Sequence, residues 1–199
     1  MKKIFIINAH QYHPYSEGEL NQALVNQFKD FFNSSHYEVR TCIVDQGYEV
    51  KQQLAHFLWA DLIIVQTPVY WMSVPWLFKK YIDEVFMEGV TGIMCDGDGR
   101  HESDPKTGYG TGGVLTDKKY LLSLTFNAPE EAFNDPQEPF FSGRSVDDLF
   151  WPVHLTFQFC GMKPLDTFTC YDVKKNPEIE QDFERLAAHL DKEVGKLRG

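Results

Sequence analysis

The sequence lacks the basic surface on which nucleic-acid binding depends. It carries 19 Lys and Arg against 29 Asp and Glu, a formal net charge of −10. Since affinity for nucleic acid rests on cationic groups that neutralise phosphates, this balance argues against a nucleic-acid partner. It also means that any anionic ligand has to be held by local features of the fold.

Long apolar runs are missing as well. The apolar run that opens the chain, Ile4–Ile7, ends at Asn8 and is too short for the core of a signal peptide. No later stretch reaches the roughly 20 apolar residues that span a bilayer. We therefore expect a cytoplasmic protein without stable membrane insertion.

Paired cysteines are a third absence. The four cysteines are scattered, at Cys42, Cys95, Cys160 and Cys170, and none belongs to a C-x-x-C pair. His10 and His13 lie in a predicted loop without a carboxylate or thiol at ligand spacing. The sequence predicts free, mostly buried thiols and no metal site. No G-x-S-x-G, Walker or G-x-G-x-x-G motif follows a strand, which disfavours hydrolases, P-loop proteins and ordinary Rossmann dehydrogenases.

Apolar runs and amphipathic segments alternate along the chain as five strand–helix units. The predicted strands are Lys3–Ile7, Tyr37–Val44, Asp61–Gln66, Lys119–Thr125 and Leu165–Cys170. The predicted helices are Leu20–Phe32, Val50–Trp59, Trp76–Phe86, Val146–Phe159 and Pro177–Leu197. We expect one α/β domain over residues 1–199: a flavodoxin-like, doubly wound, five-stranded parallel sheet in the order 2-1-3-4-5, with helices on both faces.

In such a sheet, ligands bind beyond the carboxyl ends of the strands where the strand order reverses. After strand one, Ser16–Glu19 precedes a helix whose free amides can receive a phosphate. The same residues have the S-x-x-E spacing of a capping box, which needs no ligand, and the sequence favours neither interpretation. The long segment 89–117 is predicted to be an active-site or nucleotide-contacting loop.

Two further loops deviate from ordinary connections. After strand three, two prolines bracket Tyr70 and Trp71, which suit a planar flavin ring. The alternative is a buried aromatic corner, and for Trp76 we favour it. After strand four, Asn127 lies in a turn whose amides suit the polar edge of such a ring.

Four segments together resemble the bacterial modulator of drug activity B family of NADPH:quinone reductases. They are Leu58–Asp61, Pro68–Trp76, Lys79–Asp83 and Leu122–Phe133. The similarity runs nearly end to end. A more distant resemblance, through Pro68–Pro75, 150–152 and 159–161, connects the chain with the animal DT-diaphorase group.

The resemblance implies an FAD-dependent homodimer in which NADPH reduces the flavin and a quinone then takes two electrons. A surplus of aromatics, 15% of the residues, also favours a ligand or a partner subunit. The implied contacts on the pyrophosphate side are His10, Ser16, Gly18, Glu19, Leu20 and Asn21. Those around the ring are Pro68, Val69, Tyr70, Trp71, Met72, Thr125, Phe126, Asn127 and Ala128, with Tyr109 reaching across the dimer.

Tyr109 and Asn127 are the candidate catalytic residues. The DT-diaphorase group has a tyrosine and a histidine after strand four that assist hydride transfer, and this sequence has Phe133 and Pro139 there. We therefore expect catalysis by positioning, with backbone amides near Tyr70 and Asn127 stabilising charge on the reduced ring.

Other functions share this fold. One alternative is an FMN-dependent azoreductase or flavin reductase, although the first loop lacks a Ser/Thr-rich phosphate cradle. Another is a non-enzymatic flavin electron carrier or a regulatory subunit with an acidic docking face. A domain without any cofactor would leave Tyr70, Trp71 and Phe126 as plain core. Candidates for a 2′-phosphate contact are Lys79, Lys80, Arg100 and Lys106.

Overall fold

The computed structural model describes residues 2–34 and 37–195. Within them the strands are β1 Lys3–Asn8, β2 Glu38–Ile43, β3 Leu62–Pro68, β4 Lys119–Thr125, β5 Lys163–Pro164 and β6 Phe168–Cys170. The α-helices are α1 Glu19–Ser34, α2 Val50–Trp59, α3 Trp76–Gly89, α4 Val146–Leu149, α5 Trp151–Phe159 and α6 Ile179–Gly195.

All strand pairs are parallel, and the strand order is β2-β1-β3-β4-β5, with β6 also paired to β4. This confirms the predicted order. Every residue of β3 is buried, as expected for a central strand of a parallel sheet. The register places Asn8 beside Gln66 and Pro68 beside Thr125, so that the carboxyl ends of β1, β3 and β4 meet at one edge.

Helices cover both faces of the sheet, because alternate side chains of each strand point to opposite faces. Ile4 and Ile6 of β1 belong to a cluster with residues of α1 and α6, among them Phe28. Phe5 and Ile7 belong to the opposite cluster with residues of α2, α3 and α5. The prediction of a two-sided core is confirmed.

Two predicted elements differ from the structure. The fifth strand forms two short segments, β5 and β6, on the edge of the sheet, where Pro164 has no N–H to donate. The predicted helix Val146–Phe159 is interrupted at Phe150, because Pro152 removes a helical donor and its ring crowds the preceding turn. For the predicted Pro177–Leu197 helix, α6 spans Ile179–Gly195, and residues 196–197 lie outside the described residues.

All four cysteines are free and buried, which confirms the prediction. Burial raises the pKa of the Cys42 thiol to about 11. The Sγ atoms of Cys95 and Cys160 lie 3.6 Å apart, where the segment between α3 and β4 packs on the end of α5. These two thiols therefore pack between that segment and the end of α5.

Two partly buried histidines make stability depend on pH. Burial lowers the pKa of His56, with Arg40 adding to the effect, and burial also lowers the pKa of His189 despite its hydrogen bond to the backbone carbonyl of Asp166. The unfolded chain therefore binds more protons as the pH falls below the ordinary value of 6.5, and stability decreases towards the lower folded-state pKa values. We expect the wild type to melt at a lower temperature at pH 5.5 than at pH 7.5.

The expected measurement is thermal unfolding at both pH values for wild type and for the double variant His56→Gln/His189→Gln. The double variant should show a smaller difference between the two melting temperatures. A control, His101→Gln, removes an exposed histidine and should keep the wild-type difference. An unchanged difference in the double variant would show that other groups cause the acid sensitivity.

Candidate functional site

Two adjoining cavities lie at the edge of the sheet where the strand order reverses. The helix-side cavity has a volume of about 310 Å³ and the loop-side cavity one of about 370 Å³. Six lining residues are common to both: Tyr15, Ser16, Pro68, Thr125, Val173 and Lys174. Since the cavities share this wall, one elongated ligand can occupy them together.

The helix-side cavity is lined by the start of α1. The amides of Glu19, Leu20 and Asn21 precede the first helical hydrogen bond, which Gln22 N donates to Gly18 O. They have no backbone acceptor among the residues that the structure describes. The helix dipole adds partial positive charge at this end, so the cavity suits a phosphate.

Ser16 does not cap this helix. Its backbone N–H donates to His13 O and its carbonyl accepts from His13 N, at 2.7 and 3.2 Å. The helix begins at Glu19, so Ser16 lies too far ahead of it for the S-x-x-E capping box. The sequence left two interpretations of Ser16–Glu19 open, a phosphate-binding helix start and a capping box. The capping box is wrong.

Gly18 lets the chain turn into the helix against a buried histidine. Its φ is +91°, a region that favours glycine, and an added Cβ would lie 2.5 Å from the ring of His10. His10 Nε2 in turn lies 2.8 Å from Ser16 O. This contact fixes the ring beneath the cavity floor.

A buried polar network lies below the cavities. Asn21 Nδ2 donates to Asn8 Oδ1 at 2.5 Å, Gln66 Nε2 donates to Asn21 Oδ1 at 3.0 Å, and Ser123 Oγ donates to Gln66 Oε1 at 2.6 Å. The network joins α1 to the ends of β1, β3 and β4. The side chain of Asn21 is thus engaged in structure, and its backbone amide is the group left for a ligand.

The loop-side cavity is bounded by a tight turn. Tyr70 and Ser73 exchange backbone hydrogen bonds, and between them Trp71 and Met72 have φ values of 49° and 64°. Such left-handed conformations cost a non-glycine residue roughly 1–2 kcal/mol each. The turn presents the Trp71 ring, 96% exposed, at the cavity rim.

The backbone amides of this region divide into two groups. Those of Val69 and Tyr70 already donate, to Thr125 O and Ser73 O, so they are not available to a ligand. The Tyr70 hydroxyl donates to Gln11 O at 2.9 Å, and burial raises its pKa. Among the described residues the backbone amides of Trp71, Met72 and Asn127 have no acceptor. They are the free backbone donors at this end of the site.

Twelve of the sixteen residues predicted to bind the cofactor line one or both cavities. They are His10, Ser16, Gly18, Glu19, Leu20, Asn21, Pro68, Val69, Tyr70, Trp71, Thr125 and Asn127. The other four line neither cavity: Met72, Phe126, Ala128 and Tyr109. The structure therefore brings most of the predicted residues together, and four of them lie outside the two cavities.

Three of these four residues are engaged elsewhere or turned away. The Phe126 ring is buried against Phe133 and Phe150, and its amide donates to Cys170 O, so Phe126 is core. Ala128 packs on the same cluster and its carbonyl accepts from Asp172 N. Met72 occupies the tip of the turn and is 41% exposed.

Tyr109 lies in a third cavity of about 590 Å³, between α3, α5 and the segment 90–118. Its ring centroid is 5.8 Å from that of Phe159, and 72% of the residue is exposed. Gly113 packs against the backbone at the end of α5 and anchors this segment. Within one chain, Tyr109 therefore lies apart from the helix-side and loop-side cavities, and its contact across a dimer stays a prediction.

Trp76 is 65% exposed at the start of α3, so the expectation of a buried aromatic corner is wrong there.

Of the suggested 2′-phosphate contacts, Lys79, Lys80 and Arg100 already pair with acidic side chains. Three residues that line both cavities were not predicted from the sequence: Tyr15, Val173 and Lys174. For the last two, the position directly after the fifth strand was the available signal, because that strand ends at the same edge.

The described residues contain neither a membrane-spanning helix nor a cluster of metal-ligating side chains. No helix there combines the length and the apolar character needed to cross a membrane. The same part of the chain contains no group of three or more His, Cys, Asp or Glu side chains arranged to hold a metal ion.

By sequence, the chain matches a known protein family and curated relatives. A family profile described as a flavodoxin-like fold matches residues 2–194. The NADPH:quinone oxidoreductase MdaB of Haemophilus influenzae is 44% identical over 181 residues, which cover 91% of this chain and 93% of that protein.

Solved structures share the fold at low sequence identity. A putative quinone reductase from Klebsiella pneumoniae has a TM-score of 0.75 at 20% identity, over 99% of this chain and 85% of that one. An azoreductase from Bacillus anthracis has a TM-score of 0.65 at 16% identity, over 96% of this chain and 100% of that one. These likenesses show the fold alone.

Proposed function

Because the chain belongs to the flavodoxin-like fold family, and within it to the family of the Haemophilus MdaB protein, we propose that it is an FAD-dependent NADPH:quinone oxidoreductase. NADPH would bind, reduce the flavin and leave, and a quinone would then take two electrons at the same place. The 44% identity over nearly the full length of both chains supports the reaction class.

The observation that carries the proposal is the pair of adjoining cavities. The helix-side cavity offers the free amides of Glu19, Leu20 and Asn21 to an anion. The loop-side cavity offers a wall of Pro68, Tyr70 and other side chains to a flat ring. A flavin nucleotide has both of these parts, and FAD also has a second nucleotide half to fill the extended site.

When bound, the flavin supplies the hydride chemistry, and the chain's own residues orient it. Pro68 and Val69 fix the backbone along one side of the loop-side cavity. Tyr70 and Trp71 supply aromatic surface that excludes water from a bound ring. The free amides of Trp71 and Asn127 and the Asn127 side chain are the donors that would stabilise negative charge on its polar edge.

Residue Asn127 gives a direct test of this charge stabilisation. We expect Asn127→Ala to slow reduction of the bound flavin by NADPH about tenfold, since a hydrogen bond to a charged group contributes roughly 1.5–3 kcal/mol. Tyr109→Phe should slow it as well if Tyr109 reaches the partner's site. Single-turnover absorbance measurements give both rates. Unchanged rates in both variants would contradict the role of these side chains.

The proposal includes a homodimer formed through the third cavity. Met87, Tyr109 and Leu155 are 69%, 72% and 46% exposed and line that cavity together with Phe159. A contiguous apolar surface of this kind favours a partner, and a second copy of the chain is the partner that the family relationship favours. In a dimer, Tyr109 of one subunit would reach the other subunit's site.

Light scattering after size-exclusion chromatography tests the dimer. We expect the wild type to elute as a dimer and Leu155→Glu to elute as a monomer with weaker flavin binding. A monomeric wild type would contradict this part of the proposal.

We place the reaction in the cytoplasm, where NADPH is supplied and where free thiols such as these four persist.

Two measurements distinguish this function from its alternatives. Chromatography of the flavin released from the purified protein should give FAD, whereas FMN would favour the azoreductase or flavin-reductase alternative. Steady-state kinetics with NADPH and menadione should give parallel double-reciprocal lines, the pattern of a two-step exchange. Bound flavin without turnover would instead indicate an electron carrier.

A further inference from the structure

We infer that Lys174 binds the phosphate group of the flavin nucleotide, an inference that rests on the proposed function. Lys174 lines both the helix-side and the loop-side cavity. It is the only lysine or arginine among the described residues that line them. The residue thus lies where the phosphate part of a nucleotide would join its ring part.

The charges around the helix-side cavity explain why a cation is needed there. Two carboxylates, those of Glu17 and Glu19, line the cavity beside the amides at the start of α1. Together with the net charge of −10, they oppose the approach of an anion. The ammonium group of Lys174 supplies local positive charge that the helix dipole alone provides only in part.

The backbone holds Lys174 in place. The preceding residues are tied to the segment after β4, since Asp172 N donates to Ala128 O and Val173 N donates to Phe126 O, both at 3.0 Å. Asp172 itself has a φ of 45°, which turns the chain towards the cavities. The position of Lys174 therefore follows from the two carboxyl-end segments that enclose the site.

The side chain of Lys174 retains hydrogen-bonding capacity. Its Nζ donates to the carbonyl oxygen of Tyr15, across the cavity mouth. An ammonium group has three N–H donors, and no carboxylate of the described residues lies within ion-pair distance of it. In contrast, Lys79 and Lys80 each pair with an acidic side chain. A phosphate oxygen is a stronger acceptor than the Tyr15 carbonyl.

The test compares the binding of three flavins to the flavin-free protein by fluorescence titration. FAD and FMN carry phosphate, and riboflavin does not. We expect Lys174→Gln to weaken FAD binding about tenfold, as for a lost charge-assisted hydrogen bond, and to leave riboflavin binding within about twofold of the wild type. Lys174→Arg should retain most of the affinity for FAD.

Two further variants sharpen the test. Lys175→Gln changes an exposed neighbouring lysine that lines neither cavity and should bind FAD as the wild type does. Glu17→Gln removes an opposing charge and should tighten FAD binding. The dependence of FAD affinity on salt concentration should become weaker in Lys174→Gln and stay unchanged in Lys175→Gln.

Equal loss of FAD and riboflavin affinity in Lys174→Gln would overturn the inference, because it would indicate a structural defect. Unchanged FAD affinity would overturn it as well. If the wild type binds FAD and reduces quinone while Lys174→Gln does the same with wild-type affinity, the inference alone fails. If the wild type binds none of the three flavins, the proposed function fails and this inference with it.

Discussion

Gly18→Ala is expected to weaken FAD binding at least tenfold and to destabilise the fold. Its Cβ would lie 2.5 Å from the buried His10 ring, and moving that ring away would break the contact of its Nε2 with Ser16 O. Overpacking of this kind costs roughly 1–3 kcal/mol, in addition to the strain of a φ of +91°. The displaced residues are those that lead into the amides at the start of α1.

Gly47→Ala is the matched control. Gly47 has a φ of +87° and open space around an added Cβ, so the substitution adds backbone strain without a clash. Because its ψ of 160° places it in a region that is essentially restricted to glycine, we expect the substitution to lose roughly 1–3 kcal/mol of stability and no flavin affinity. Denaturant unfolding and FAD titration on both variants give the two quantities. Equal effects of the two substitutions would show that the His10 contact does not shape the site.

A second variant removes His10 together with the clash. In the double variant His10→Ala/Gly18→Ala, the stability loss caused by the clash with the His10 ring should disappear. The loss caused by the positive φ at residue 18 should remain. The stability effects of the two single substitutions should therefore not add. Additive effects would mean that the ring and the glycine act independently.

Gly113→Ala is expected to destabilise the protein by about 3 kcal/mol or more, since it forces an atom into a packed region that has no room for it. The new Cβ would lie 2.1 Å from Gly161 N and 2.6 Å from Phe159 O, and these backbone atoms cannot rotate away as a side chain can. The segment that carries Tyr109 would separate from the end of α5.

Thiol reactivity reports this separation. Cys95 and Cys160 are buried where the segment meets α5, so Gly113→Ala should make them react with a thiol reagent under native conditions. Gly92→Ala, in the same segment but with open space around its Cβ, should lose only about 1 kcal/mol from its φ of +82° and keep these thiols protected. Wild-type stability and thiol protection in Gly113→Ala would contradict the described packing.

The sheet and the convergence of the loops after its strands were predictable because both follow from local patterns. An alternation of apolar and amphipathic segments predicts a doubly wound sheet, and for five strands with right-handed crossovers the order 2-1-3-4-5 is the simplest. The residues after β1, β3 and β4 then converge whatever their identity. This is why Ser16, Pro68 and Asn127 line one cavity although they are far apart in the sequence.

The orientation of single side chains was not predictable in the same way. Phe126 and Asn127 are neighbours, yet one ring is in the core and the other side chain lines the loop-side cavity. The break at Phe150 depends on Pro152, which suits the first turn of a new helix as well as the middle of a kinked one. Lys174 was missed because a lone Lys-Lys pair is typical of a surface charge, and only its position after the fifth strand pointed to the site.

The central claim is that the two adjoining cavities hold a flavin that takes hydride from NADPH and passes two electrons to a quinone. The most direct test is an anaerobic absorbance titration of the FAD-reconstituted protein with NADPH, followed by one equivalent of menadione. We predict that NADPH bleaches the flavin band and that menadione restores it. A flavin band that NADPH leaves unchanged, or no bound flavin after reconstitution, would contradict the claim.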